Sequence, residues 1–386
     1  MAARWAAERA RLEQALLAGM TRGLAPEAWR ALTAQIMTYQ AQAHPLYGRY
    51  CRHGGVEPGG DPWGLPPLPV EAFKRADLFP HDASEAVATF FSSGTTAEQR
   101  SRHVFKTLAL MDTAILATFA PMVLGDGAEL SWWVLTPSDA DAPHSSLVHM
   151  FAHLMRHHGG GHFLVDAAGN LDAPRLTAAL DAAEASGRPV FLLGPSFAFV
   201  HFLDGLGGRR WRLPAGSRLL ETGGYKGLSR QVPRPDLHAA LVATLGLEAA
   251  LIVAEYGMSE LSSQLYEASM ALALAGHGDL ALALRDRFVG PPWCRFAVLD
   301  PDSLTELPWG EEGQIALRDL ANLDSAAYVL TGDLGRCHPV PPEAAAHLPW
   351  PVDACLQLCG RAGAVAKGCS IALDAMLSGA ERSLWM

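Results

Sequence analysis

The sequence predicts an α/β fold in which a parallel sheet covered by helices on both faces is followed by a small antiparallel β unit. Three observations lead there. Between Ala86 and Gly257, short apolar runs recur: "AVATFFSSG", "SWWVLTPS", "GHFLVD", "RPVFLLGPS", "SRLLETGG" and "ALIVAEYG". Each ends in Gly, Ser, Thr, Asp or Pro, and helical stretches lie between them. Strands apolar on both faces belong to parallel sheets buried on both sides. After Pro291 the rhythm shortens to "WCRFAVLD", "GQIALRDL", "AAYVLTGDLG" and "CLQLCGR", with turns such as Trp309 to Gly313, which suits antiparallel strands. Finally, 386 residues at 49% hydrophobic composition can bury a large core.

The elements follow in order. Residues 1–85 read as a helical and extended segment packing on the core. Its first part, Met1 to Met20, sets Arg4, Glu8, Arg9, Arg11 and Glu13 among alanines and leucines, an amphipathic helix without the apolar core of a signal peptide. Residues 86–290 form the α/β core, 291–360 the small β subdomain and 361–386 a short tail. Leu108 to Leu124 and Ser269 to Leu284 are apolar, but Asp112, Pro121, His277 and Asp279 interrupt them. Neither offers the ~20 clean residues of a membrane span, so both read as buried helices. Gly54 to Pro69 and Val340 to Pro351, rich in Pro and Gly, read as surface connections.

A net charge of −10 without a basic stripe excludes a general nucleic-acid binder. Six cysteines and no export signal predict reduced thiols in a cytoplasm. Cys355 and Cys359 are spaced C-x3-C, but Leu356 and Leu358 make that segment a strand bearing thiols rather than a zinc site. His149, His153, His157 and His158 recur at helical spacing. His149 and His153 could ligate a metal, yet no acid stands beside them in sequence, so the expectation is a packing or pocket-lining helix face.

Ligands of parallel sheets bind beyond the carboxyl ends of the strands. Here those ends are Ser92 to Thr96, Thr136 to Ser138, Glu221 to Gly224 and Glu255 to Gly257. In "FFSSGTTAEQRSRH" a strand stops on small hydroxyl residues and a glycine, then turns basic. Backbone N–H groups of such a turn, with added hydroxyls, can cradle phosphate. "EYGMSE" sets Glu260 three residues after a glycine turn. "LTGDLGR" places Asp333 between glycines, and "CGRAGAVAKG" follows. Taken singly, Glu260 could serve only a helix start and Asp333 only a turn.

The four segments, in this order, resemble the adenylate-forming superfamily of acyl-CoA synthetases, luciferases and adenylation domains. Together with "PPLPVEAFK", "LTPSDADAPHSSLVHM", "LLETGGYKG", "DLANLDSAAYVLTGDLGR" and "KGCS", they resemble more narrowly the acyl-protein synthetases of the LuxE type, over roughly Pro66 to Ile371. The resemblance implies the large N-terminal-type domain of those enzymes, with ATP and Mg²⁺ as cofactors. It implies Ser92, Ser93, Gly94, Thr95 and Thr96 as the phosphate loop, and Gly223, Gly224, Tyr256 and Gly257 around the adenine. Glu260 would meet Mg²⁺ and act in catalysis, Asp333 would hold the ribose, Arg361 the nucleotide edge, and Cys369 would carry the acyl group.

Two departures from the superfamily pattern stand out. Ala97-Glu98-Gln99 replaces the usual glycine and Pro-Lys pair, leaving Arg100, Arg102 or Lys226 to supply positive charge. The usual mobile C-terminal domain with its catalytic lysine is also missing, which argues against ordinary CoA ligation. The expected function is therefore activation of a carboxylic acid, with fatty acids favoured by the resemblance, and transfer through Cys369 to an acyl reductase, an acyl carrier protein or a thioesterase. The alternatives are a ligase charging coenzyme A or a carrier protein, and a nucleotide-binding subunit of a reductase complex that has lost catalysis.

Overall fold

The computed structural model describes residues 2–92, 100–224 and 229–361. The described strands are β1 (Leu68–Pro69), β2 (Ala88–Phe91), β3 (Arg102–Phe105), β4 (Ser131–Val134), β5 (His162–Phe163), β6 (Val190–Pro195), β7 (Arg218–Thr222), β8 (Ile252–Tyr256), β9 (Leu265–Glu267), β10 (Phe288–Val289), β11 (Cys294–Leu299), β12 (Glu312–Asp319), β13 (Tyr328–Pro339) and β14 (Ala354–Arg361). Strands β8-β7-β6-β4-β5 form the parallel half of one large sheet. Every residue of β6, β7 and β8 is buried, as runs apolar on both faces require.

Alternation sends neighbouring side chains to opposite faces. Phe191, Leu193, Leu220 and Val253 join one core with Phe119 and Phe151. Val190, Leu192, Leu219 and Ile252 join another with Leu180, Phe199 and Leu241. The helices Ala109–Val123 and Ser146–His157 cover the first face, while Ala173–Ser186, Ser196–Gly205 and Arg234–Leu245 cover the second.

The sheet continues past β8 through antiparallel neighbours, β9, β10, β14, β13, β12 and β11, and β1 adds to β13 in parallel. A third core joins Leu12, Leu16, Ile36 and Tyr47 of the N-terminal helices to Leu317, Val329 and Leu330. The buried Arg9 clamps Asp324 at 2.5 and 2.7 Å, fastening the helix Ala2–Arg22 to the loop before β13.

Four expectations are corrected. The run "AVATFF" is not a parallel strand: among the described residues β2 pairs only with β3, antiparallel. Its burial is one-sided, with Phe90 in the core and its neighbours half-buried. Gly54 to Pro69 is not merely surface, since Leu65 and Leu68 are buried and Tyr47 and Tyr50 donate to the carbonyls of Pro66 and Pro67. Val340, Ala344 and Leu348 likewise belong to the core. Ser269 to Leu284 is two helices, Ala268–Leu274 and Gly278–Ala283, rather than one. No described helix is long and apolar enough to cross a membrane.

Candidate active site

Strands β7 and β8 set Thr222 opposite Glu255. The turns Gly223-Gly224 and Tyr256-Gly257 therefore leave the sheet side by side, at its carboxyl edge. Gly224 has φ +100°, a backbone region that side chains avoid. At Gly257 a Cβ would overlap Glu255 Oε1, so only glycine lets that carboxylate fold back. The Tyr256 hydroxyl donates to Asp333 Oδ2 at 2.9 Å. Burial, reinforced by the Asp333 charge, pushes the phenol well above its ordinary range, so it remains a donor.

Asp333 lies on β13 directly across from Arg361 on β14. Arg361 Nε is 3.4 Å from Asp333 Oδ1, and its side chain is 88% exposed. The Asp333 N–H donates to Thr331 Oγ1 at 3.1 Å, which holds the turn. Three segments far apart in sequence thus meet beside the Gly223-Gly224 turn.

The loop that carries Glu260 is shaped by residues 319–326. Buried Asp319 accepts from the N–H groups of Ser262 and Ser263 at 2.9 and 2.8 Å, and from Ser263 Oγ at 2.7 Å. Asn322 Nδ2 donates to the Glu260 carbonyl at 2.8 Å, while Asn322 Oδ1 accepts from Ser262 Oγ at 2.7 Å. Glu260 itself is buried. Burial raises its carboxyl pKa, partly offset by the nearby Ser101 hydroxyl and the charge of Lys74.

The β2–β3 hairpin is docked on this same loop. Its mouth is closed by Ser92 N–H to Ser101 O at 3.0 Å and by Ser101 N–H to Ser92 Oγ at 2.8 Å. Behind it, His103 Nδ1 is 2.9 Å from the Ser259 carbonyl and Nε2 is 2.8 Å from Ser325 Oγ. Burial lowers the His103 pKa to about 4, so the ring is neutral. A single tautomer satisfies both contacts: Nδ1–H donates to Ser259, and Nε2 accepts from Ser325. The hairpin thus brings Ser101 to the neighbourhood of Glu260. Ser93, Gly94, Thr95, Thr96, Lys226 and Cys369 lie outside the described residues.

Beneath the Gly223 turn sits an ionic cluster that sequence reasoning missed. Buried Glu221 accepts from Ser196 Oγ and lies 3.1 Å from Arg234 Nε and 3.4 Å from His238 Nε2. Burial opposes its charge, but His238, Arg234 and Ser196 together hold its pKa below the usual range. Arg234 also stacks over Phe288 at 5.3 Å, and Phe288 meets Tyr256 edge-on at 6.2 Å. The histidine helix packs its Met150, Phe151 and Leu154 into the core, and His149 lies 2.7 Å from Asp112 of the helix Ala109–Val123, 37 residues away in sequence. Among the described residues, no three or more His, Cys, Asp or Glu side chains are grouped to hold a metal ion. Cys355 is buried and Cys359 exposed on β14.

A cation held partly by bound phosphates needs fewer protein ligands, often one or two carboxylates. Glu260 fits that role. It is buried, and the fully buried Ser101 hydroxyl lies near its carboxylate.

No protein-family model and no curated protein matches this chain. Solved structures do. An open conformation of 2-hydroxyisobutyryl-CoA ligase, in complex with 2-HIB-AMP and CoA, superposes with TM-score 0.59 at 13% identity, covering 87% of this chain and 69% of that one. The fold is that of the large domain of adenylate-forming enzymes. The luciferase-like enzyme of the Zophobas morio mealworm matches with TM-score 0.47 at 13% identity, covering 73% of this chain and 59% of its own. The amide bond synthetase McbA of Marinactinospora thermotolerans matches with TM-score 0.45 at 17% identity, covering 72% and 49%. The chain thus spans about half to seven-tenths of the length of these structures.

Proposed function

We propose that this chain is an ATP-dependent ligase that activates a carboxylic acid, with a fatty acid the favoured class, as acyl-AMP. It then passes the acyl group to its own Cys369 and on to a partner such as an acyl reductase. The observation that carries the adenylation step is the meeting of Tyr256, Asp333 and Arg361 beside the Gly223-Gly224 turn, with Glu260 buried next to the mouth of the hairpin.

The chemistry calls for these groups. A carboxylate is a poor electrophile because its leaving group would be oxide. When its oxygen attacks the α-phosphorus of ATP, pyrophosphate leaves and AMP becomes the leaving group of the next step. Asp333 can accept from the ribose hydroxyls, and the exposed Arg361 arm can turn to phosphate or adenine. Mg²⁺, when bound, neutralises charge on the phosphoryl oxygens, and Glu260 is the residue to hold it. A cysteine thiolate then attacks the acyl carbon, AMP departs, and a thioester remains for a second protein to collect.

The deciding experiment is pyrophosphate exchange into ATP across a panel of fatty and aryl acids, followed by intact-protein mass. Exchange that depends on acid and Mg²⁺ is expected, with a hydroxylamine-labile acyl mass on the chain. Exchange with the thioester found only on coenzyme A or a carrier protein selects the simple ligase. No exchange with folded protein across the panel removes catalysis altogether.

A further inference from the structure

The buried stripe of the helix Pro26–Ala43 ends on a polar residue. Trp29, Leu32, Ile36, Met37 and Gln40 recur at helical spacing and are all buried. Gln40 thus stands where an apolar side chain is expected, and it is 2% exposed. A buried amide is costly unless its hydrogen bonds are made. Gln40 Nε2 donates to the carbonyls of Asn322 and Leu323 at 2.7 and 3.1 Å, and Gln40 Oε1 accepts from the Ala327 N–H at 2.9 Å. The opposite amide orientation would set an oxygen against both carbonyls, so the contacts fix it. Gln40 therefore grips both ends of the turn 322–327 from a helix more than 280 positions earlier in the chain.

That turn holds the Glu260 loop from two sides. On one, Asn322 Nδ2 donates to the Glu260 carbonyl at 2.8 Å. On the other, Ser325 Oγ donates to His103 Nε2 at 2.8 Å, and His103 Nδ1 holds the carbonyl of Ser259 at 2.9 Å. The carbonyls on either side of the Glu260 Cα are thus fixed by one turn, and with them the direction in which the Glu260 side chain leaves the backbone. Asn322 and Ser325 are themselves buried. Asp333 is held separately, through the pairing of β13 with β14.

We propose that Gln40 is a positioning residue for adenylation: it sets the turn 322–327, and the turn sets Glu260. The inference rests on the adenylation reading above and gives the N-terminal helices a part in the reaction besides packing on the sheet. A positioning residue acts only through the group it places. Loss of Gln40 should therefore act on kcat, as loss of Glu260 does, and spare the nucleotide contacts of Asp333.

The test is acid-dependent pyrophosphate exchange by the full chain, with melting temperatures measured alongside. Gln40→Met keeps the length and bulk of the side chain without its amide. Its kcat should fall at least about tenfold while KM for ATP stays within about twofold of wild type. In a Glu260→Gln background the same substitution should cost less than about twofold, because placing Glu260 matters only while Glu260 works. Leu16→Ala, in the core under the same helical layer, is a control of lowered stability and should keep the wild-type kcat. Wild-type kcat in folded Gln40→Met overturns the inference and leaves the adenylation reading standing. A kcat loss that persists undiminished in the Glu260→Gln background, or that Leu16→Ala reproduces, assigns Gln40 to folding and also overturns it. If Gln40→Met does not fold, Gln40→Glu, which keeps the size and the acceptor, is held to the same criteria, and its failure to fold likewise assigns Gln40 to folding. Folded wild type without acid-dependent exchange overturns both readings.

Discussion

Asp333 has two partners, and they differ in what a nucleotide can displace. Tyr256 is buried and donates at 2.9 Å, whereas Arg361 is almost wholly exposed at 3.4 Å. A solvent-facing ion pair is worth little, so Arg361 can leave at small cost, while Tyr256 keeps the carboxylate aimed. Asp333→Ala should therefore raise KM for ATP far more than it lowers kcat. Tyr256→Phe should raise it about fivefold, the loss of roughly 1 kcal/mol of orienting hydrogen bond. Glu260→Gln should act on the other parameter. An amide cannot balance a metal's charge, and loss of one such contact in the transition state costs about 3 kcal/mol, near a hundredfold in the exchange rate. Steady-state exchange kinetics separate these outcomes, and wild-type values in all three variants would remove the nucleotide site from this edge of the sheet. Tyr256, Glu260 and Asp333 could be named from sequence because each sits in a short motif. Their neighbours could not. His103 acts on Ser259, 156 residues away, and Asn322 on Glu260, 62 residues away, so their roles exist only once the chain has folded.

Among the elements, the long buried strands were legible and the short or one-sided ones were not. Strands β6, β7 and β8 are apolar on both faces, and their sequences say so. Strands β9 and β10 have three and two residues, too few to show a period, yet they join the parallel half of the sheet to the antiparallel half. The same holds for the helix Pro45–His53, whose start is capped by an unusual residue. His44 Nδ1 accepts from the Tyr47 N–H at 3.4 Å. Burial holds the His44 pKa near 4, below the ordinary 6.5. The folded state therefore refuses a proton that the unfolded chain accepts. The stabilisation is complete above pH 6.5 and is lost as pH falls towards 4. Between pH 7.5 and 5 this one group should remove about 2 kcal/mol of stability. Asparagine at the same position can cap without titrating. Urea unfolding of His44→Asn should show a pH 7.5-to-5 loss smaller by that amount. An unchanged acid limb would mean that His44 already carries its proton in the folded chain.

Across the whole molecule, the candidate site lies at the seam where the two halves of one sheet meet. Tyr256 ends β8 in the parallel half, and Asp333 and Arg361 come from β13 and β14 in the antiparallel half. The thiols are distributed around that seam in a way that bears on acyl transfer. Cys51 and Cys294 are buried, and burial pushes the thiols of Cys51 and Cys355 up to about 11 and that of Cys337 to about 12. None of these reaches the thiolate near neutral pH, and the thiolate is the nucleophile. Cys359 is exposed on β14, two residues before Arg361; burial raises its pKa, with Arg336 opposing. Cys369 follows eight residues after Arg361, outside the described residues, with Lys367 two positions before it. Of the two, Cys369 is the proposed acceptor and Cys359 the reserve. Cys369→Ser should leave acid-dependent pyrophosphate exchange at the wild-type rate, because adenylation precedes thiol attack. The same variant should lose the hydroxylamine-labile acyl mass from the chain. Cys359→Ser should keep both. If the two thioester results are exchanged, the acceptor is Cys359 on the edge of the sheet. If both single variants still accumulate the thioester, more than one thiol of the chain can carry it and Cys369 is not the dedicated acceptor; if wild type never forms one, transfer to an external thiol becomes the function of the site.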